Sequence, residues 1–186
     1  MKWKVGVGRL MIFRKLGWII NRQRGFTLIE FIAALAITGL IGVGAAAATA
    51  QVLNQGTKNS DYTTASRYTM NAIHWISRDA RLAQTVEPGG TSGFPLKLSW
   101  TEWDNSDHQV LYIIDIQQDK LRRSYSVDGG QPSETVVAHH INSVSENTTC
   151  EFINGMLTMK VTSTVGTGSN AISVTKICDI APRPGL

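Results

Sequence analysis

Two different hydrophobic patterns follow one another along the first half of the chain. From Phe31 to Ala50 no side chain is charged, and only Thr38 and Thr49 are polar. From Tyr62 to Ala83, apolar residues instead recur every three to four positions, in a band roughly 100° wide around a helical axis. The two patterns predict one helix whose first part is apolar on all sides and whose second part is apolar on one side only.

The one-sided pattern predicts which helical residues face a folded domain. No proline occurs from Gln51 to Glu87, so Pro88-Gly89-Gly90 is predicted to end the helix. Asp79 lies towards the apolar band, and we expect it to pair with a base from the following strands, Arg122 or Arg123. The band contains Tyr62, Ala65, Thr69, Ala72, Ile73, Ile76, Ala80 and Ala83, and the opposite side contains Arg67, Asn71, His74, Arg78, Arg81 and Thr85.

The second half of the chain carries the alternation that is typical of β-strands. Two alternating stretches predict a hairpin with its turn at Gln117–Lys120, and their inward residues are Val110, Tyr112, Ile114 and Ile116, then Leu121, Arg123, Tyr125 and Val127. Asn154-Gly155 predicts a second hairpin. A last strand is predicted in the stretch that ends at Ile180. The fold class is therefore α+β, with an antiparallel sheet packed on the second half of the helix.

Charge is distributed unevenly along the sequence. The chain has 18 Lys and Arg and 14 Asp and Glu, a net charge of +4. Seven of the bases and none of the acids lie in residues 1–25, which leaves 11 bases against 14 acids, a balance of −3. The basic pI of about 9.2 is thus a property of the N-terminal segment. It does not indicate a nucleic-acid partner, and we expect none.

The apolar stretch is long enough to cross a bilayer. Twenty helical residues span roughly 30 Å, the thickness of the hydrocarbon core. Because Lys and Arg crowd residues 1–25, we expect that segment to lie in the cytoplasm and the C-terminal bulk to lie outside.

Two processing events are compatible with this N-terminus. A secretory signal peptide would be cut after Ala48-Thr49-Ala50, leaving Gln51 at the new N-terminus. Signal peptides, however, have a shorter apolar core of about 7–15 residues and no reason to carry an acid such as Glu30. A cut after Gly25 would instead keep the anchor on the mature protein.

The stretch "RGFTLIE", from Arg24 to Glu30, resembles the processing site of type IV prepilins and type II secretion pseudopilins. The resemblance implies cleavage between Gly25 and Phe26 by a prepilin peptidase, followed by N-methylation of Phe26. It implies as partners that peptidase, other major and minor pilins or pseudopilins, an inner-membrane assembly platform, and membrane lipid before assembly. It also implies a long helix carrying a β-rich head outside the membrane.

The resemblance also gives Glu30 a role. A carboxylate inside a bilayer costs about 2.5–3.5 kcal/mol on insertion scales, so it needs a partner. Cleavage would create an ammonium on Phe26, and the resemblance implies that Glu30 of an incoming subunit neutralises the Phe26 ammonium of a neighbour. Glu30 is therefore the candidate assembly residue, in contact with another subunit.

The order of segments in the head is similar to that of the J-type (PulJ-like) minor pseudopilins. This resemblance implies a subunit that helps to initiate a type II secretion pseudopilus. A minor pilin of a DNA-uptake, adhesion or twitching pilus is the alternative within the same class. A secreted ligand-binding or enzymatic domain, released after Ala50, is the alternative from another class.

Other candidate chemistry is sparse. Cys150 and Cys178 lie in the part expected outside the cytoplasm, where a disulfide is allowed, and pilins often carry one near the C-terminus. In a simple meander, however, the two residues would be about 9–10 Å apart, beyond the roughly 7 Å limit for a bridge. Asp104, Asn105 and Asp107 are weak calcium candidates. We find no catalytic motif and expect neither enzymatic activity nor a cofactor.

These observations predict four segments. Residues 1–25 form a cleaved cytoplasmic leader, and residues 26–53 a helix that spans the membrane and later occupies the filament core. Residues 54–88 form the amphipathic helix of the head, and residues 89–186 its β-rich globular part. The predicted function is that of a minor pilin or pseudopilin subunit, held in the cytoplasmic membrane by one span and then assembled into an extracellular or periplasmic filament.

Overall fold

The computed structural model describes residues 25–183, so all of the predicted leader except Gly25 lies outside the described residues. A long helix, α1 (Leu28–Leu82), is followed by eight strands, β1 to β8. The architecture is α+β, as the sequence predicts. The chain divides into two compact units, the first ending at Gln51 and the second beginning at Val52.

The described part of the first unit is almost entirely helix. Every residue from Gly25 to Gln51 is exposed, although most are apolar. By length and composition, α1 contains a stretch able to cross a membrane. Within residues 25–183, a Cβ added to Gly39, Gly42 or Gly44 would meet nothing within 4 Å.

In the second unit, α1 becomes one-sided. Its buried residues are Ala65, Thr69, Ala72, Ile76, Asp79 and Ala80, which confirms most of the predicted band. Tyr62 was predicted to belong to that band, but it is 54% exposed. The predicted polar side is exposed at Arg67, Asn71, His74, Arg78 and Arg81.

The predicted end of the helix is wrong by several residues. α1 ends at Leu82, whereas the sequence analysis extended the amphipathic helix to residue 88. Residues Thr85–Gly89 form β1, which pairs with β2 (Gly93–Thr101) from Thr85 opposite Ser99 onwards. The absence of proline permitted a longer helix, but the β-branched pair Thr85-Val86 gains sheet hydrogen bonds and buries Val86 instead.

Five strands form an antiparallel sheet in chain order. They are β1, β2 (Gly93–Thr101), β3 (Asp107–Asp115), β4 (Lys120–Val127) and β5 (Ser133–Ala138). The predicted β3–β4 hairpin is confirmed, with Asp115 opposite Lys120. Ile116, however, lies in the turn and is 73% exposed, so its predicted inward position is wrong.

The remaining three strands form a second antiparallel sheet. The sequence analysis predicted a single sheet, and that prediction is wrong. The second sheet contains β6 (Thr149–Ile153), β7 (Met156–Val165) and β8 (Ile172–Ile180). Asn154 and Gly155 both have positive φ angles, 52° and 77°, as a two-residue type I′ hairpin requires. The second predicted hairpin and the last predicted strand are therefore confirmed.

Both sheets share one hydrophobic core with the second half of α1. Small side chains on the helix, Ala72 and Ala80, let its backbone approach the sheets closely. The sheets also meet directly, because the backbone N–H of Cys150 donates to the carbonyl oxygen of Ser92 at 2.9 Å. The core side chains from the strands include Leu96, Leu98, Val110, Tyr112, Leu121, Leu157, Met159, Val161 and Ile180.

Candidate processing and assembly site

The predicted cleavage site lies in exposed, non-helical chain. Gly25, Phe26 and Thr27 precede the first turn of α1, and the Phe26 side chain is 83% exposed. A peptidase needs an extended segment that it can bind from outside the fold, and this segment meets that requirement. The helix begins only two residues after the predicted scissile bond.

Thr27 and Glu30 form a capping box at the start of α1. The Glu30 carboxylate accepts hydrogen bonds from the backbone N–H and the hydroxyl of Thr27, at 3.2 and 3.1 Å. In return, the Thr27 hydroxyl accepts from the backbone N–H of Glu30 at 3.4 Å. The pattern Thr-x-x-Glu is the usual sequence signal for such a box, and it was available in the sequence although we did not predict the box.

The capping box changes the account of Glu30. We expected this acid to depend on a partner from another chain, yet its carboxylate already has two donors in its own chain. These donors are uncharged, and no cation of residues 25–183 forms an ion pair with Glu30. The hydrogen-bonding capacity of the carboxylate is therefore partly used, while its negative charge is not neutralised within the described chain.

The polar groups of the apolar stretch are satisfied inside the helix. The hydroxyl of Thr38 donates to the carbonyl oxygen of Ala34 at 2.8 Å, and that of Thr49 donates to Ala45 at 2.9 Å. In a bilayer an unpaired hydroxyl would be costly, so these local bonds make the stretch compatible with lipid. Glu30 is then the one ionisable side chain among residues 26–51.

In the second unit, Asp79 is the centre of a buried polar cluster. The carboxylate is 1% exposed, and its Oδ2 accepts from Arg123 Nε and from the Tyr112 hydroxyl, both at 2.6 Å. Its Oδ1 accepts from Arg78 Nη2 at 3.1 Å. Of the two candidate partners, Arg123 is therefore confirmed. Arg122 is not, because it pairs instead with carboxylates on β3 and β5.

Electrostatics fixes the protonation states in this cluster. Burial and then the Asp79 charge raise the pKa of Tyr112, so its hydroxyl stays protonated and donates. Burial alone would lower the pKa of Arg123, but the hydrogen bond and charge of Asp79 outweigh it and raise the pKa overall. At physiological pH the Tyr112 hydroxyl is therefore neutral and the Arg123 guanidinium is charged.

The two cysteines are free thiols separated by a strand. Cys150 on β6 and Cys178 on β8 both lie opposite Met159 on β7, and the disulfide that the sequence left open is not formed. The spacing argument made from the sequence accounts for this, because Met159 lies between them. Cys150 is buried, and desolvation followed by the charge of Glu151 raises its pKa to about 12.

The calcium candidates are used in a tight turn between β2 and β3. Asp104 Oδ1 accepts from the backbone N–H and the hydroxyl of Ser106, and these bonds, the hydroxyl one first, lower the pKa of Asp104. Asp107 Oδ1 accepts from the Thr101 hydroxyl, and Asn105 takes a positive φ of 65°. Residues 25–183 contain no group of three or more His, Cys, Asp or Glu side chains arranged to hold a metal.

A serine, a histidine and an acid also meet at this turn. Ser106 Oγ lies 2.6 Å from Asp104 Oδ1 and 2.9 Å from His108 Nε2, and the Tyr125 hydroxyl lies 2.6 Å from His108 Nδ1. In a catalytic triad the serine donates to the histidine and the acid orients that histidine. Here the Ser106 hydroxyl donates to the Asp104 carboxylate instead, so the arrangement is not that of a triad.

Comparison with known proteins gives one match. Residues 20–46 match the family model described as the prokaryotic N-terminal methylation motif. No curated protein and no solved structure matches the chain. The match covers Gly25, Phe26 and Glu30 and includes most of the apolar stretch. The chain therefore carries a prepilin-type N-terminal motif, which supports a subunit similar to type IV pilins and pseudopilins, processed by prepilin peptidase and anchored by an apolar helix.

Proposed function

We propose that this protein is a minor pilin or pseudopilin subunit. The carrying observation is the methylation motif at residues 20–46, which coincides with an exposed cleavage segment and the start of a long apolar helix. Prepilin peptidase would cut between Gly25 and Phe26, and Phe26 would then be N-methylated. The first half of α1 would hold the protein in the cytoplasmic membrane and later pack in the filament core.

In this proposal the chain has a structural function and no catalytic activity. The head residues that resemble catalytic groups make hydrogen bonds and ion pairs with one another. Ser106 donates to Asp104, and Asp79 forms ion pairs with Arg78 and Arg123. The basic leader supports an orientation with the head outside the cytoplasm. The filament would therefore be periplasmic or extracellular.

Within this class we infer a J-type minor subunit of a type II secretion pseudopilus. Its support is the order of segments, a stem without proline after Gln51, a hairpin at β3–β4 and a closing hairpin at Asn154-Gly155. A minor pilin of a DNA-uptake, adhesion or twitching pilus shares these features. The neighbouring genes would distinguish a pilus subunit from a pseudopilus subunit, because a retraction ATPase or a competence nuclease would indicate a pilus.

The processing step is tested by mass spectrometry of the mature N-terminus in the native host. We expect a chain that begins with N-methylated Phe26. A chain that begins at Gln51 would show that signal peptidase releases the domain, and the subunit proposal would then be wrong.

The assembly step is tested with two variants that separate charge from capping. Glu30→Gln keeps an oxygen that can accept from Thr27 but removes the charge, whereas Thr27→Val removes the capping hydroxyl and keeps the charge. We expect Glu30→Gln to be processed normally but to enter sheared filaments at least tenfold less than the parent, and Thr27→Val to enter them. Equal incorporation of Glu30→Gln and the parent would refute the role of the charge.

A further inference from the structure

A groove of about 400 Å³ opens in the second unit, between the last turns of α1 and the inner face of the five-stranded sheet. It is separate from the processing segment and from the apolar part of α1. Its walls include Trp75, Arg78 and Leu82 from the helix and Trp100, Arg123 and Tyr125 from the sheet. The groove thus combines aromatic side chains with two guanidinium groups.

Arg123 presents part of its guanidinium to this groove. The residue is 9% exposed, and its Nε is bound by Asp79. Its Cζ lies 5.3 Å from the ring centre of Trp75 and 4.9 Å from that of Tyr125, so aromatic rings hold the guanidinium in place. Among residues 25–183, the hydrogen bond of the Arg123 side chain comes from Nε, and neither Nη atom donates a hydrogen bond. Two charged donors at a fixed position are therefore free to bind an acceptor.

Trp100 provides a further donor beside Arg123. It is 7% exposed and stacks flat on His108, with ring centres 5.2 Å apart. Its Nε1 is buried and has no hydrogen-bond partner in the described chain. Buried donors almost always have an acceptor, so an unpaired indole N–H in a groove wall indicates that a ligand supplies one.

The surroundings determine which acceptor suits the groove. The positive charges of the two arginines in the lining face the negative charges of Asp79 and of Glu102, which lies at the exposed rim. A ligand with one negative charge therefore meets less repulsion in the groove than a ligand with two. Aromatic rings and Leu82 suit a short hydrocarbon stem behind that charge. We propose that the groove binds the carboxylate of an acidic side chain from a partner protein, with Arg123 and Trp100 as donors. This proposal does not depend on the proposed function.

The experiment uses the full chain in detergent micelles, labelled with ¹⁵N at tryptophan. The probes are N-acetylglutamate N-methylamide, its neutral glutamine counterpart and inorganic phosphate. We expect the charged glutamate probe to shift the Trp100 indole signal, with a dissociation constant of millimolar order for so small a ligand. The glutamine probe should leave the signal unchanged. No shift, an equal shift with glutamine, or tighter binding of phosphate would overturn the proposal.

Variants separate a binding role from a structural one, with the ¹⁵N indole signal of Trp75, which also lines the groove, as the common readout. Trp100→Phe and Arg123→Lys should each weaken binding of the charged probe about tenfold, as expected for a lost hydrogen bond to a charged group. Glu102→Gln should strengthen binding, because it removes a competing carboxylate. Trp103→Phe is the control, since Trp103 is 91% exposed and lies outside the groove lining. Unchanged affinity in both Trp100→Phe and Arg123→Lys would refute the assignment.

Discussion

The Asp79→Ala substitution is expected to destabilise the second unit by about 3–5 kcal/mol, the range for breaking a buried ion pair by removing one partner. The reason is visible in the cluster. The alanine would leave the guanidinium of Arg123, 9% exposed, without its carboxylate, and the fully buried hydroxyl of Tyr112 without its acceptor. The orphaned hydroxyl alone is worth about 1–3 kcal/mol and is part of the total.

Two related variants show where this energy comes from. Asp79→Asn keeps an oxygen for Tyr112 and should therefore be less harmful than alanine. The double variant Asp79→Ala/Arg123→Met removes both charges, so its loss should be smaller than the sum of the two single losses. A smaller loss in the double variant is expected when most of the destabilisation comes from an unpaired buried charge rather than from lost packing.

The assay is thermal unfolding of the full chain in detergent, followed by tryptophan fluorescence. A loss of 3–5 kcal/mol corresponds to a fall in Tm of about 10–20 °C for a domain of this size. Glu87→Ala is the matched control, because it breaks the exposed ion pair with Lys97 at 3.1 Å and should cost less than about 1 kcal/mol. A Tm of Asp79→Ala within a few degrees of the parent would refute the role of the cluster.

Three further predictions concern the strands. In the native protein, a maleimide should label Cys178 and spare buried Cys150, whose raised pKa of about 12 keeps it a neutral thiol; equal labelling of both would contradict this. An unfolded thiol ionises near pH 8.5, whereas folded Cys150 stays protonated to higher pH. The free energy of unfolding should therefore decrease between pH 9 and 12, by about 1.4 kcal/mol per pH unit from this group. Cys150→Ala should remove this pH dependence, and Cys178→Ala should not. Gly93→Ala should cost about 2–5 kcal/mol in denaturant unfolding, because φ is +78° and a Cβ would overlap the Cys150 carbonyl, whereas Gly129→Ala at φ +67° has open space and should cost about 1 kcal/mol.

Periodicity predicted the elements whose local signals agree with their surroundings. The buried side of α1 follows from apolar residues at helical spacing, and the Asn154-Gly155 hairpin follows from two residues that accept a positive φ. The Asp79–Arg123 pair was also predictable, because an acid inside an apolar band must find a base. In each case a few residues in the sequence are sufficient to determine the structural feature.

Elements that depend on distant partners were missed. Strand β2 places Phe94, Leu96, Leu98 and Trp100 on one buried face, a period-two pattern that was present in the sequence. Pro95 within that stretch weakens the local strand signal, because proline cannot donate a hydrogen bond to a neighbouring strand. The early end of α1 and strand β1 have the same origin, because β1 becomes favourable only once β2 lies beside it. Local propensity cannot reveal such pairing.

The site residues divide in the same way. The motif around Gly25 and Phe26 is local, and the sequence was sufficient to find it. The Thr27–Glu30 box was equally local, and its Thr-x-x-Glu signal was available. The groove beside Arg123 was not predictable, because it requires residues from the end of α1, from β2 and from β4 to meet at one place.

Two of the three acids in α1, Asp79 and Glu30, have surroundings that explain different functions. Asp79 has two arginines and a tyrosine within its own chain, so its charge is neutralised inside the second unit. Glu30 has only the N–H and hydroxyl of Thr27, which satisfy its oxygens but leave a net charge beside an apolar, fully exposed helix. Moving that uncompensated charge into lipid or into a filament core is unfavourable until a cation arrives. An ammonium on Phe26 of a neighbouring chain would supply one, so the local cap holds the carboxylate in position while its charge is available for assembly.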